Sequence, residues 1–264
     1  MRFKITFNRT GRQRMLPMDY QYYLSAWIYK VIGLSDRNFS NFLHSQGYSN
    51  GNKSFKLFCY SPLSFGKPIF WKEKSLFEIQ SNQLTVSISF HLVEAAEKFI
   101  LGLFNNQQIY IGDKFNGLDL TVANVERLPS FEARETVLYR ALSPVVVSVL
   151  PEGKKYPDYL SPDNESYESL LCKNLVNKFN SIPGNISIES INPFRFETVG
   201  ISRSKLITIK PYTMEQSKVR GFVFDFKLTC PSEIHHLIEG SGIGEKNSMG
   251  FGWVDSKKLE NNII

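Results

Sequence analysis

The chain has 264 residues, 42% of them hydrophobic and 21% charged, which is the composition of a folded globular protein with room for one large domain or two ordinary ones. No apolar run approaches the roughly 18 residues of a membrane helix, and the opening MRFKITFNRT alternates polar and apolar residues without the apolar core of a signal peptide. Net charge is +6, and residues 1–60 alone hold nine Lys or Arg against Asp19 and Asp36, so the remaining 204 residues come to −1. That local excess is either a surface kept soluble or the footprint of a protein that touches phosphates. Cys59, Cys172 and Cys230 are far apart and form no CxxC, which suits a reducing cytoplasm better than a disulfide framework.

In chain order, residues 2–8 read as a strand with Phe3, Ile5 and Phe7 on one face. A helix is predicted from Asp19 as N-cap to Gly33 as stop signal, with Leu24, Trp27, Ile28 and Val31 at i, i+3, i+4 and i+7. A second runs from Ser35 to Gly47, with Leu34, Phe39, Phe42 and Leu43 on its packed side. Strands follow at 54–61, 75–80 and 84–91, a helix at 92–104, and short strands at 107–111 and 118–126. This order fits a ferredoxin-like unit with an elaborated first crossover. The second half repeats the plan. Residues 135–150 are strand-rich, and Ser161-Pro162 opens a helical stretch carrying Leu171, Leu175 and Phe179. Strands are predicted at 185–191, 204–210 and 219–229, then a helix from Ser232 to Glu239. The expected architecture is α+β, two tandem ferredoxin-like domains at 1–126 and 127–264, joined through the polar stretch Glu126–Glu135.

Angular bookkeeping selects residues outside the core stripes. At about 100° per residue, Tyr29 lies roughly 150° from the stripe of its helix, and His44 about 150° from Phe39, Phe42 and Leu43. Both should face solvent or a cleft. In SFKLFCYS, alternation puts Lys56 on the face opposite Phe55 and Leu57. Each residue alone reads as ordinary solvated surface. Together they match one reaction, cleavage of RNA by its own 2′-OH, which needs a proton acceptor, a proton donor and positive charge near the phosphorane. Imidazole can accept or donate near neutral pH, Lys supplies a cation, and Tyr can accept, donate or position. RNA carries its own nucleophile, so neither metal nor cofactor is required. The pair His235-His236 has no Cys or carboxylate at ligand spacing and reads as surface decoration. HExxH, paired acidic, GxSxG and Walker A motifs are absent from the sequence.

The segment GSGIGEKNSMGFGWV (240–254) places Gly240, Gly242, Gly244, Gly250 and Gly252 within thirteen residues, with Lys246 and Asn247 among them. Glycine permits close backbone approach, so the segment can lie flat against phosphates, whereas GFGWV continuing as a strand excludes a dinucleotide fold. GIGEKNSMGFGWV resembles the C-terminal glycine-rich signature of the CRISPR-associated repeat-processing endoribonucleases, the sixth Cas family within the RAMP superfamily. DYQYYLSAWIYKVI resembles that family's first helix, with its tyrosine at Tyr29. FLHSQGY resembles the helix bearing its histidine, at His44, and KLFCYS the strand bearing its lysine, at Lys56. The likeness is strongest over residues 1–62 and 240–254.

The resemblance implies a metal-independent endoribonuclease that cuts CRISPR precursor RNA within repeats, leaving a 5′-hydroxyl and a 2′,3′-cyclic phosphate. His44 would be general acid or base, Tyr29 its partner, and Lys56 the stabiliser of the phosphorane. RNA would lie on Arg2, Arg12, Arg14 and Lys53 of the first domain. On the second it would lie on Arg203, Lys205, Lys210, Lys218 and Arg220, and on Gly242, Gly244, Lys246, Asn247, Gly250 and Gly252 of the loop. The partners implied are repeat RNA and, as open alternatives, a CRISPR effector complex or a second copy of the chain, in the cytoplasm and away from membranes. The competing readings are a silent RAMP subunit that binds RNA without cutting, and a metal-dependent nuclease on the same scaffold.

Overall fold

The alternation of Phe3, Ile5 and Phe7 becomes β1 (Arg2–Arg9), with all three side chains buried. In the computed structural model, which describes residues 1–129, 131–132, 134–211 and 213–257, the first half continues with β2 (Met15–Pro17), α1 (Gln21–Ser35) and α2 (Arg37–Ser45). Next come β3 (Tyr48–Asn50), β4 (Lys53–Phe55), β5 (Phe58–Tyr60), β6 (Ile69–Trp71) and β7 (Leu76–Glu78). The half closes with β8 (Gln83–Phe90), α3 (Val93–Asn105), β9 (Gln108–Gly112) and β10 (Gly117–Arg127). β1 lies mid-sheet in the order β5-β8-β1-β10-β9, paired antiparallel to both neighbours. α1 and α3 cover one face, and Trp27 is the keystone, edge-on to Phe7 at 5.6 Å and to Phe99 at 5.7 Å.

Local signals misplace several boundaries. Asp19 does not cap α1, which follows Tyr20 and passes through Gly33 to Ser35. The break comes at Asp36, whose extended backbone ends one helix and whose carboxylate accepts from the Phe39 N–H at 2.9 Å to begin the next. Leu34, expected on the packed side, is exposed. The strand expected at 54–61 is interrupted, because Leu57 adopts φ +53° and separates β4 from β5. In β5 the alternation disappears and Phe58, Cys59 and Tyr60 are all buried. The second half of the chain covers the face that alternation would leave wet, as the Cys59 Sγ contact to the Phe251 carbonyl at 3.3 Å shows.

The second half runs β11 (Thr136–Ala141), β12 (Ser148–Val149), β13 (Asp158–Tyr159), α4 (Tyr167–Asn180), β14 (Arg195–Ile209), β15 (Ser217–Thr229), α5 (Ser232–Ser241) and β16 (Val254–Lys257). Its four-stranded sheet has the order β14-β15-β11-β16, so β11-α4-β14-β15-α5-β16 is a βαββαβ unit. Residues 185–191 form no strand, and β14 is instead a 15-residue strand that starts at Arg195. Tyr139, Leu171, Leu175, Phe226 and Ile238 form the core under α4 and α5. The chain is thus an α+β protein of two tandem ferredoxin-like units with a glycine-rich loop between α5 and β16. Positions 258–264 of the expected second domain, and 130 and 133 of the expected connecting stretch, lie outside the described residues. Among the described residues no helix is long and apolar enough to cross a membrane.

Candidate active site

α1 and α2 meet through Ser40, whose hydroxyl donates to the Tyr29 carbonyl at 2.8 Å. That crossing brings the Tyr29 ring edge-on to His44, with centroids 5.0 Å apart, and to Phe58 at 5.5 Å. His44 is exposed in the last turn of α2. Tyr29 is half-buried rather than solvent-facing, because β5 and the glycine loop cover its far side. Its hydroxyl pairs with the Ser248 side chain, and burial pushes the phenol up to about 12. The loop is fixed against α1 by Ser25, whose hydroxyl donates to the Ser248 carbonyl at 2.7 Å.

Lys56 reaches the same place by a route alternation does not describe. It occupies the break between β4 and β5, and its Cδ and Nζ lie against Gly47, just past the end of α2, where an added Cβ would come within 2.8 and 3.1 Å of them. Desolvation there lowers the Lys56 pKa. Imidazole, phenol and ammonium therefore converge on the C-terminal end of α2. The arrangement offers an exposed proton carrier, a neutral hydroxyl and a partly desolvated cation.

The glycine loop does not lie open for phosphates. Gly242, Gly244, Gly250 and Gly252 are buried, and a Cβ on Gly252 would fall 1.9 Å from the Ile243 carbonyl oxygen. These glycines let the loop close on itself and on β5. Asn247 is also committed inward, its amide donating to the carbonyls of Ile243 and Phe251 at 2.9 and 3.0 Å. Lys246, at φ +58°, is the exposed tip. At the centre is a residue that sequence reasoning missed. Lys178 of α4 is buried, and its ammonium donates to the Gly242 and Gly244 carbonyls and to Asn247 Oδ1 at 2.8, 3.2 and 2.7 Å. Burial brings its pKa down to about 7. The signal was available, since Leu171, Leu175 and Lys178 share one helical stripe.

The expected RNA ligands divide on inspection. Arg2 is an internal clamp: it ion-pairs with Glu239 at 2.6 Å and Asp255 at 3.0 Å, donates to the Val254 carbonyl at 2.8 Å and lies 4.1 Å over the Trp253 ring. Arg12, Arg14, Lys53, Arg203, Lys205, Lys218 and Arg220 are exposed, whereas Lys210 is half-buried and ion-paired with Glu215. On the β14–β15 ribbon Lys205 faces Gly221, while Arg220 faces Leu206 and Lys218 faces Thr208. Arg203 and Lys205 thus share one face, and Lys218 and Arg220 the other. His235 is not surface decoration. It is fully buried, with Nδ1 2.9 Å from the Tyr139 hydroxyl and Nε2 3.1 Å from the Glu135 carbonyl.

Residues 15–125 match the model of the CRISPR-associated protein Cas6 N-terminal region, and residues 126–256 that of the Cas6 C-terminal region. A CRISPR-associated endoribonuclease Cas6 of Pyrococcus furiosus is 28% identical over 99% of this chain and 91% of its own length. CRISPR-associated endoribonuclease Cas6 1 of Methanocaldococcus jannaschii is 26% identical over 93% and 89%. Among solved structures, a Cas6-related protein of Pyrococcus furiosus superposes with a TM-score of 0.82 at 23% identity, covering 98% of this chain and 99% of that one. A RAMP protein described as binding different RNA substrates superposes at 0.81 with 19% identity over 98% and 100%, a likeness of fold. With its two halves matched, in order, by the two regions of one family, this chain belongs to the Cas6 family of CRISPR-associated proteins.

Proposed function

We propose that the chain is an endoribonuclease that cuts CRISPR precursor RNA within its repeats, without a metal, by attack of a 2′-OH on the adjacent phosphate. The names of the curated relatives support the endoribonuclease reading. The observation that carries the chemistry is the 5.0 Å contact between Tyr29 and His44 at the helix end where Lys56 lies. With its phenol held near 12, Tyr29 stays protonated and orients the reacting groups by hydrogen bonding. His44 takes the 2′-OH proton as the 2′-oxygen bonds to phosphorus and the bond from phosphorus to the 5′-oxygen breaks. Lys56 stays protonated and offsets the charge of the phosphorane, and the 5′-oxygen takes its proton from solvent as it leaves. The products are a 2′,3′-cyclic phosphate and a 5′-hydroxyl. Exposed Arg12, Arg14, Lys53, Arg203, Lys205, Lys218, Arg220 and Lys246 hold phosphates on either side of the cut.

The test is single-turnover cleavage of repeat RNA in EDTA. Cutting should persist there and stop when the 2′-OH beside the scissile phosphate is replaced by hydrogen, with binding retained. His44→Ala should slow cleavage by about 10²-fold or more while leaving affinity nearly unchanged. Cutting that appears only when Mg²⁺ or Mn²⁺ is added overturns the reading.

A further inference from the structure

The small sheet β2-β7-β6 presents a surface that the chemistry above does not use. Ile69, Phe70 and Trp71 are 51%, 59% and 44% exposed, three consecutive large apolar side chains on an edge strand. Alternation turns Phe70 to one face of β6 and Ile69 and Trp71 to the other. Neither ring is loose. Phe70 packs edge-on against Phe77 at 5.3 Å, Phe77 against Phe65 at 5.7 Å, and both of these against Tyr20, the residue that opens α1, at 6.5 and 6.3 Å. The Trp71 indole N–H donates to Glu78 at 3.0 Å, and the Lys74 ammonium lies 5.4 Å over its ring. Both rings are thus held in set orientations with much of their area in water, a configuration that marks an interaction site.

The surroundings select the occupant. Exposed Lys67, Lys72 and Lys74 bracket the rings, and exposed Arg12 and Arg14 lead into β2. Of the acidic residues nearby, Glu78 is already engaged by Trp71 and Gln80, and exposed Glu73 is outnumbered by the three lysines. Aromatic faces interleaved with cations are the chemistry of single-stranded nucleic acid binding, in which bases stack and phosphates pair. Lysines and Pro68 along a free edge oppose the addition of a protein strand. The place fits as well, since Tyr20 and Tyr29 stand about 13 Å apart along α1, a few nucleotides of path.

We propose that the β2-β7-β6 sheet is a second RNA subsite, where the transcript crosses the free edge of β6 and unpaired nucleotides stack on Phe70 on one face and on Trp71 on the other, while Lys67, Lys72 and Lys74 hold the intervening phosphates. The inference rests on the reading of the chain as a repeat-cutting enzyme. The test compares the parent, Phe70→Ala/Trp71→Ala, Phe70→Leu/Trp71→Leu and Trp71→Phe in binding a labelled repeat RNA. The Ala and Leu doubles should each lose about tenfold or more in affinity, Trp71→Phe should stay within about threefold, and single-turnover cleavage at saturating RNA should change by less than about twofold. Removing the three lysines together should flatten the salt dependence of binding. Unchanged affinity in the Ala double, in a protein whose parent binds and cuts, overturns the subsite. So does a Leu double that binds like the parent, or an Ala double whose oligomeric state shifts in sedimentation while its RNA affinity holds. A parent that neither binds nor cuts repeat RNA overturns the enzyme reading, and this subsite with it.

Discussion

Tyr29 and Lys56 move in opposite directions for one reason, which is that each loses water from around its charged form. The phenol is raised to about 12 and stays neutral throughout the working range, while the ammonium gives up its proton below the ordinary lysine value of 10.5. The proposed chemistry needs Lys56 as a cation, so the cleavage rate should fall on the alkaline side, beginning below the pH at which a solvated lysine titrates. Lys56→Arg keeps its charge at every accessible pH. Its alkaline limb should vanish even if imperfect geometry costs about tenfold in rate. Single-turnover rates of both proteins across the alkaline range check this, and an identical limb in each would remove Lys56 from the reaction.

At the scale of elements, the turn from α2 into β3 decides where Lys56 points. Gly47 leaves the helix at φ +67°, and a Cβ there would lie 2.6 Å from the Phe55 carbonyl oxygen as well as against the Lys56 chain. Gly47→Ala should therefore lose about 1–3 kcal/mol of stability and lever Lys56 away. Its cleavage rate should drop further than its RNA affinity, as read by urea unfolding beside single-turnover kinetics. Sequence pattern reached some of this and not the rest. The stripe of α1 was plain in Leu24, Trp27, Ile28 and Val31, all of which are buried. His44 fell outside its own stripe and is exposed. The positive φ of Leu57 left no trace, because a leucine in a run of alternating residues looks like any strand position. β6 was missed because three exposed residues bury too little to show a period. The glycines misled in an instructive way. Their number reads as room for a ligand, yet the space each opens is filled by His91, Cys59, Val146, Tyr60 or Ile243 from the protein itself.

Across the whole molecule, polar groups tie the two units together, Asn50 donating to Asn177 Oδ1 at 3.0 Å and Ser25 to the Ser248 carbonyl among them. Arg2 of β1 grips Glu239 and Asp255 of the second unit. Lys178 of α4 gathers the glycine loop that covers β5 and meets Tyr29 through Ser248. Lys178→Met would preserve the length of the side chain but strand three oxygens, so it should cost about 3 kcal/mol and loosen the loop over Tyr29. A pH signature separates this role from generic packing. The folded-state pKa of Lys178, about 7, lies below the 10.5 of a free lysine. Between those values the unfolded chain holds a proton that the folded chain has released, so stability rises with pH through that window. The contribution is complete above the unfolded value and is lost as pH falls through the folded one. Denaturant unfolding at steps from pH 7 to 10 should show the parent gaining on Lys178→Met as pH rises, with the gap between them changing little below pH 7. Parallel stability curves across the window would mean that Lys178 keeps its proton in the fold and that the three oxygens hold it as a permanent cation.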